Sequence, residues 1–370
     1  MDVLTIPKMP TAQEILGGET FTRDTLVQLL NAEGKDREHI FEYASKIKSN
    51  HIGKKVHLRG LIELTNRCSK NCYYCGIAAG LKNVDRFNLD MTAVENAVRF
   101  IVKNNYGSIV IQTGELQSEA FTNQVEEILK LITTIGKGRL GITLSCGEQS
   151  VETYRKWKEA GAQRYLLRIE TSNEELYYKL HPEDHNHNYQ NRLKALKSLQ
   201  DLGYQTGTGV MIGLPFQTVE TLADDLLFMR DFDIDMCGMG PYIEHSSTPL
   251  FEYEDYVPTK ERRLDLSLKM IAILRIMMKD INIAATTAMQ TLTDGGREMA
   301  LTAGANILMP NTTPGLYREQ YSLYNNKPGV HEEAEDSKIS IEKLIKRAGC
   351  TPAYGEKGNS WHYFFRRTFA

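Results

Sequence analysis

Apolar positions along the chain follow two alternating rhythms. From Leu58 onwards short apolar runs (LRGLIELT, SIVIQTG, LGITLS, RYLLRIE, TGTGVMIG, IDMCGMG, INIAATTA and ANILMP) alternate with longer stretches in which apolar residues recur at helical spacing. Those stretches include MTAVENAVRFIVKN, NQVEEILKLITTI, VETYRKWKEA, NRLKALKSLQDL, VETLADDLLFMRDF and RRLDLSLKMIAILRIMM, each with an apolar stripe and a polar face. Strand then helix, repeated eight times over about 250 residues, predicts an α/β fold of (β/α)8 TIM-barrel type. A doubly wound open sheet is the competing arrangement. Polar residues at the strand C-terminal ends, where barrels build their sites, favour the barrel.

Ahead of the barrel, a short polar lead (1–20) precedes two helical patterns at about 22–31 and 36–50. After Pro310 the pattern weakens, and NNKPGVHEEAEDSK (325–338) reads as a polar linker into a last helix, SIEKLIKRAG. The expected organisation is an N-terminal helical extension (1–57), a barrel (58–312) and a C-terminal cover segment (313–370). With 41% hydrophobic and 25% charged residues, the chain is neither disordered nor fibrous. A net charge of −3 provides no overall field drawing it to nucleic acid or to an anionic membrane. No apolar run approaches the roughly 18 residues of a membrane span, and Met1–Pro10 lacks the features of a secretory signal. The expected address is the cytoplasm.

Six cysteines are too few for a disulfide scaffold of this size, but three of them, Cys68, Cys72 and Cys75, fall within eight residues in NRCSKNCYYCGI. They follow the first strand directly, which in a barrel places them at the C-terminal face. Three thiolates on one loop can hold three corners of a cubic 4Fe-4S cluster and leave the fourth iron open to an external ligand. A structural zinc would ordinarily find a fourth ligand nearby, and a pure electron carrier would use four cysteines, so both match the spacing less well. Cys146, Cys237 and Cys350 are isolated.

Other strand ends carry further candidates. IQTGE offers Gly114 and Glu115 to a ligand amino group, and YLLRIET sets Arg168 and Glu170 two apart, on one face of a strand otherwise made of core residues. Arg192 opens a helix and suits a carboxylate. Gly207, Gly209 and Gly213 lie within a strand rather than on a strand-to-helix turn, which excludes a dinucleotide loop. Thr286 and Thr287 end strand seven, where barrels bind anions. Met236, Ile243, Met309, Tyr321 and Tyr324 would supply the apolar wall of a small-molecule pocket. The run HPEDHNHNY (His181, Glu183, Asp184, His185, His187) lacks strict metal-ligand spacing and reads as a solvated loop.

Cys-x3-Cys-x2-Cys after strand one, with Tyr74 just before the last cysteine, resembles the radical S-adenosylmethionine (SAM) enzymes. In their terms IQTGE looks like the GGE motif with Thr113 in place of the first Gly, and TGTGVMIG like the glycine-rich fifth strand beside the adenosyl moiety. The resemblance implies a 4Fe-4S cluster on Cys68, Cys72 and Cys75, with SAM on its open iron. Reductive cleavage would yield methionine and a 5′-deoxyadenosyl radical. Longer segments, among them HLRGLIELTNRCSKNCYYCGI, KWKEAGAQRYLLRIET, LGYQTGTGVMIGLPFQT and GGREMALTAGANILMPN, resemble the HydE family of [FeFe]-hydrogenase maturases over most of residues 58–324.

This second resemblance assigns Gln112, Glu115, Arg168, Glu170 and Arg192 to SAM, with Tyr74 and Gly114 beside them. Thr286, Thr287, Met309, Tyr321 and Tyr324 go to the substrate cavity, joined by Met236 and Ile243. The implied substrate is an organometallic small molecule, a cysteine-bound iron carbonyl cyanide complex delivered by HydG. The radical would attack its cysteine sulfur during assembly of the diiron subcluster of the H-cluster, with the product passed towards HydF. An electron donor such as ferredoxin or flavodoxin is implied as well. NNKPGVHEEAEDS has none of the extra cysteines that some members use for an accessory cluster, so a single cluster is expected. Methylornithine synthase, an amino-acid mutase, and biotin synthase, which handles sulfur, are the rival enzymes. A non-catalytic iron-sulfur scaffold is the rival of another kind.

Overall fold

Strand β1 (Lys55–Thr65) is buried at almost every position beyond its first residue, as a parallel strand covered on both faces must be. The computed structural model describes residues 10–369; the first nine residues of the N-terminal extension lie outside them. Beside β1 run β2 (Ser108–Thr113), β3 (Gly141–Ser145), β4 (Arg164–Leu166) and β5 (Gln205–Thr208, continued at Met211–Ile212). Then come β6 (Met236–Cys237, continued at Gly240–Pro241), β7 (Asn282–Ile283) and β8 (Ile307–Leu308). Neighbours pair in parallel in chain order, and β8 returns to β1 through His57–Ile307 and Leu58–Leu308. Between β7 and β8 the circle is closed by the Ala284–Ile307 bridge and by Ala285 N–H donating to Ile307 O at 3.0 Å. The expected barrel is the fold.

Several strands are shorter than their apolar runs. β4 stops at Leu166, and β5 is interrupted at Gly209–Val210, where its partner becomes Glu170, opposite Val210. The glycines explain the interruption. A Cβ on Gly209 would stand 2.3 Å from the Gly238 carbonyl oxygen, so β5 and β6 approach each other there more closely than any side chain allows.

The helices Arg23–Asn31 and Gly34–His51 match the two N-terminal patterns. The stretch read as a polar lead also contains a helix, Ala12–Gly18. Thr11 and Glu14 form a reciprocal capping box on it, and Ile15 and Leu16 are buried. At the other end, the last predicted helix begins earlier, at Ala334, inside the presumed linker, because Glu333 and Asp336 cap it.

Beyond that helix the chain does more than cover the barrel. Strand β9 (Thr351–Ala353) pairs with the start of β1, and residues 357–360 cross the N-terminal end of the barrel. There Arg164 donates to Lys357 O at 3.1 Å and Asn359 Oδ1 at 2.8 Å, and Asn282 Nδ2 to Gly358 O at 2.9 Å. That end is stoppered. Among the described residues no helix is long and apolar enough to cross a membrane.

Candidate active site

The opposite end opens into a cavity of about 810 Å³. Register explains part of its lining: Glu63, Gln112 and Ser145 are partners across β1, β2 and β3, so all three point the same way, into the cavity. Cys68, Cys72 and Cys75 line it from the loop after β1. Burial pushes the Cys72 thiol well up, and the neighbouring Cys75 and Cys68 add to the shift. Burial likewise lifts Cys75 to about 12. Bare, the loop is a poor home for three thiolates, and cationic iron is what would stabilise them. Backbone N–H groups of Glu115 and Lys70 already point at Cys68 Sγ, at 3.3 and 3.4 Å.

Gly114 and Glu115 follow β2 and both line the cavity, and the cysteine loop also requires the glycine. A Cβ on it would stand 2.2 Å from Arg67 O and 2.9 Å from Cys68 Cβ, so the cysteine loop lies directly on it. Gly147 does the same for Glu115: at φ +72°, its Cβ would fall 2.1 Å from Glu115 Cγ. Glu115 Oε1 is 2.9 Å from Lys70 Nζ, Glu115 Oε2 is 3.5 Å from Arg192 Nη1, and Arg192 Nε is 2.8 Å from Glu148 Oε1. Two cations and two carboxylates thus share one buried patch. They are charge contacts rather than aligned hydrogen bonds, since Glu115 Oε1, Glu148 Oε1 and Arg192 Nε have no hydrogen-bond partner. Such a patch suits a ligand carrying both an ammonium and a carboxylate.

Arg168 and Glu170 lie past the end of β4 but still meet, at 2.9 Å, and both line the cavity. Glu170 sits at φ +68°, and burial raises its carboxyl pKa against the pull of Arg168 and Arg192. Tyr74 is at the same end, its hydroxyl 3.3 Å from His181 Nε2. Ile243, Thr286, Thr287, Met309, Tyr321 and Tyr324 line the remainder.

Two sequence expectations need correction. Met236 is not on the cavity wall: it packs deeper, where Arg59 Nη1 donates to its sulfur at 3.2 Å. The glycine-rich strand reaches the cavity through Met211, while Gly207, further down, packs against Leu166 and Met236. The His181–His187 loop is not simply solvated: His181 and His187 are only 1% exposed, although His185 faces solvent.

Sequence reasoning missed Lys70, Glu148, Glu63, Lys327 and Arg297. Lys327 forms a buried pair with Glu63 and donates to Tyr321 O at 2.7 Å, tying the segment after β8 into the barrel mouth. Arg297, on the helix Gly296–Ala303, is 6% exposed, lines the cavity, and its Nε has no hydrogen-bond partner. Burial lowers it to about 10, against the opposing pull of Tyr324, Glu298 and Glu332. Tyr324 in turn sits beside the Thr287 and Thr291 hydroxyls. No local signal marks Lys70, Glu148 or Glu63, because the charged partners that give them meaning lie far away in the chain.

The Radical SAM superfamily model matches residues 62–229. HydE, the [FeFe] hydrogenase maturase subunit of Thermotoga maritima, is 41% identical over 349 residues, covering 94% of this chain and 95% of that one. The chain belongs to the HydE family of radical SAM enzymes. In fold it is similar to methylornithine synthase (TM-score 0.77, 23% identity, 93% of this chain and 97% of that one). It is equally similar to HydG from Carboxydothermus hydrogenoformans (TM-score 0.77, 20% identity, 93% and 78% covered). Members of the superfamily use a 4Fe-4S cluster and SAM, and this enzyme does the same. The three-thiol loop and the balanced charge patch fit that pair: a cubane takes one cysteine per iron, and SAM ends in an amino acid.

Proposed function

We propose that this enzyme carries out a SAM-dependent radical step in [FeFe]-hydrogenase maturation. Its substrate would be a cysteine-bound iron carbonyl cyanide complex supplied by HydG, and its product would go towards the diiron subcluster assembled on HydF. The observation that carries this reading is the 41% identity to the maturase HydE over 94% of the chain. When bound, the cluster, reduced by a ferredoxin or flavodoxin, supplies the electron that splits SAM into methionine and a 5′-deoxyadenosyl radical, whose target would be the cysteine sulfur of the complex.

The chain's own residues bind and orient. Cys68, Cys72 and Cys75 would hold the cluster. Glu115 would take the SAM ammonium and Arg192 its carboxylate, displacing the contacts that these side chains make with Lys70 and Glu148. Arg168 and Glu170, with Tyr74 and Gln112, would frame the rest of SAM. Further along the wall, Arg297 has no compensating carboxylate contact at its Nε, and with Tyr324, Thr286 and Thr287 it makes a polar, cationic end for an anionic complex. A cavity of about 810 Å³ is near the upper end of small-molecule sites, as two ligands require. The segment tied across the barrel floor would keep water from entering behind them.

The test is an anaerobic maturation mixture of hydrogenase apoprotein, HydG, HydF, SAM and reductant, with and without this enzyme. Hydrogenase activity is expected only with it. Full activity without it would overturn the reading, and isomerisation of lysine with SAM would move the function to an amino-acid mutase.

A further inference from the structure

The cysteine loop is laced to a second loop that the chemistry above leaves unused. Lys70 Nζ donates to Asn186 O, Asn71 N–H to His187 Nε2 at 2.9 Å, and Tyr73 N–H to Leu180 O at 2.9 Å. The Tyr74 hydroxyl faces His181 Nε2 at 3.3 Å. Four of the residues between Cys68 and Cys75 are therefore held by residues 180–187, and Cys72 lies in the middle of them.

Both histidines have their tautomer set by the partner of the other nitrogen. His187 Nδ1 is 2.7 Å from Asp184 Oδ1, a carboxylate oxygen that also accepts from Asn186 N–H at 2.8 Å. Nδ1 therefore carries the proton, and Nε2 presents the lone pair that an amide N–H requires. His181 Nδ1 is 2.9 Å from the Tyr177 carbonyl, which can only accept, so its Nε2 is the acceptor for the Tyr74 hydroxyl. The His181 ring stacks on Tyr177, centroids 4.1 Å apart, and meets Tyr74 edge-on at 5.4 Å. Neither ring can turn without losing a contact to the cysteine loop.

We infer that His187 and His181 are positioning residues for the cofactor site: His187 fixes the peptide leading into Cys72, and His181 fixes the Tyr74 ring at the cavity wall. A filler residue of equal size would pack but would not offer one donor and one acceptor on opposite sides of the ring. Outer contacts of this kind are worth about 10- to 100-fold in metal-site affinity or activity.

The experiment compares His187→Ala, His187→Gln and Asp184→Asn with the wild type after anaerobic reconstitution, with no iron complex present. It reads iron per chain, the electron paramagnetic resonance signal of the reduced cluster, the change in that signal on adding SAM, and SAM affinity. His187→Ala is expected to weaken SAM about tenfold or to lose cluster iron. Glutamine, which can present an amide oxygen where Nε2 lies, should recover most of it. Asp184 is substantially exposed, so Asp184→Asn weakens the contact that orients the ring without emptying the core. It replaces the carboxylate that holds the proton on Nδ1 with a weaker, neutral acceptor, loosens the ring against Asn71 N–H, and should reproduce the defect in part. A wild-type signal and wild-type SAM affinity in both His187→Ala and Asp184→Asn would overturn the inference. So would unfolding of His187→Ala together with a fully normal Asp184→Asn. Because substrate is absent throughout, these results are independent of whether the proposed maturation substrate is right.

Discussion

Arg192 reaches across the barrel mouth to Glu148, its Nε 2.8 Å from Oε1, while its Nη1 faces Glu115 at 3.5 Å. One guanidinium thus neutralises two buried carboxylates, and burial still pushes the Glu148 carboxyl pKa up. Removing it in Arg192→Ala leaves Glu115 and Glu148 with Lys70 alone. We expect about 3–5 kcal/mol of lost stability and a larger loss of affinity for SAM than for substrate. Denaturant titration and equilibrium SAM binding measure the two; unchanged SAM affinity would remove Arg192 from the SAM site.

Gly147→Ala tests the seat of Glu115. The position combines φ +72° with a hypothetical Cβ 2.1 Å from Glu115 Cγ, so backbone strain and collision add. Stability should fall by about 1–3 kcal/mol, and SAM binding should fall with it because the carboxylate is displaced. Normal binding in a folded Gly147→Ala protein would show that Glu115 can shift without cost to SAM.

Arg297→Met keeps the bulk of the side chain and removes its charge. If this residue meets an anionic substrate, SAM binding should be unchanged while the apparent affinity for the iron complex drops about 10- to 100-fold, the scale of one lost charge-assisted contact of 1.5–3 kcal/mol or so. Substrate titration of 5′-deoxyadenosine formation reads this directly, and an unaltered midpoint would contradict the role.

The C-terminal helix Trp361–Phe369 is held by a titrating group. His362 Nε2 is 2.6 Å from Asp233 and its Nδ1 is 2.9 Å from Asp280. Burial opposes its charge, but hydrogen bonds to Asp280 and Asp233 outweigh that and raise it to about 9. A pKa above the unfolded value means stability fully present below about pH 6.5 and lost as the pH climbs through about 9. His362→Phe should therefore cost about 1–2 kcal/mol more at pH 6 than at pH 10, after discounting partial exposure. Thermal melts at the two values check it; a pH-independent difference would mean that His362 is neutral in the fold.

How far the sequence could be read depended on whether a feature is local. The cysteine triplet, the β-α rhythm and the Arg168–Glu170 pair all declare themselves within a few residues, and the structure brings each of them to one cavity. Met236 and Ile243 looked alike because both lie near strand six, but only Ile243 reaches the cavity, since depth along the barrel axis is set by the register of the whole sheet. Lys70 was invisible for a related reason. Its meaning comes from Glu115, Glu148 and Asn186, which three other segments deliver. The two buried histidines were misread as solvated because their partners, Asn71 and Tyr74, lie more than a hundred positions away.

The most direct test of the whole account is anaerobic reconstitution with iron and sulfide, followed by reductant and SAM, with and without the HydG product, counting 5′-deoxyadenosine. The account predicts cleavage that is absent or slow with SAM alone, strongly accelerated by the iron complex, and abolished in Cys72→Ala, which should remain folded but lack the 4Fe-4S signal. A normal cluster signal in Cys72→Ala, or no 5′-deoxyadenosine under any condition with the wild type, would contradict it.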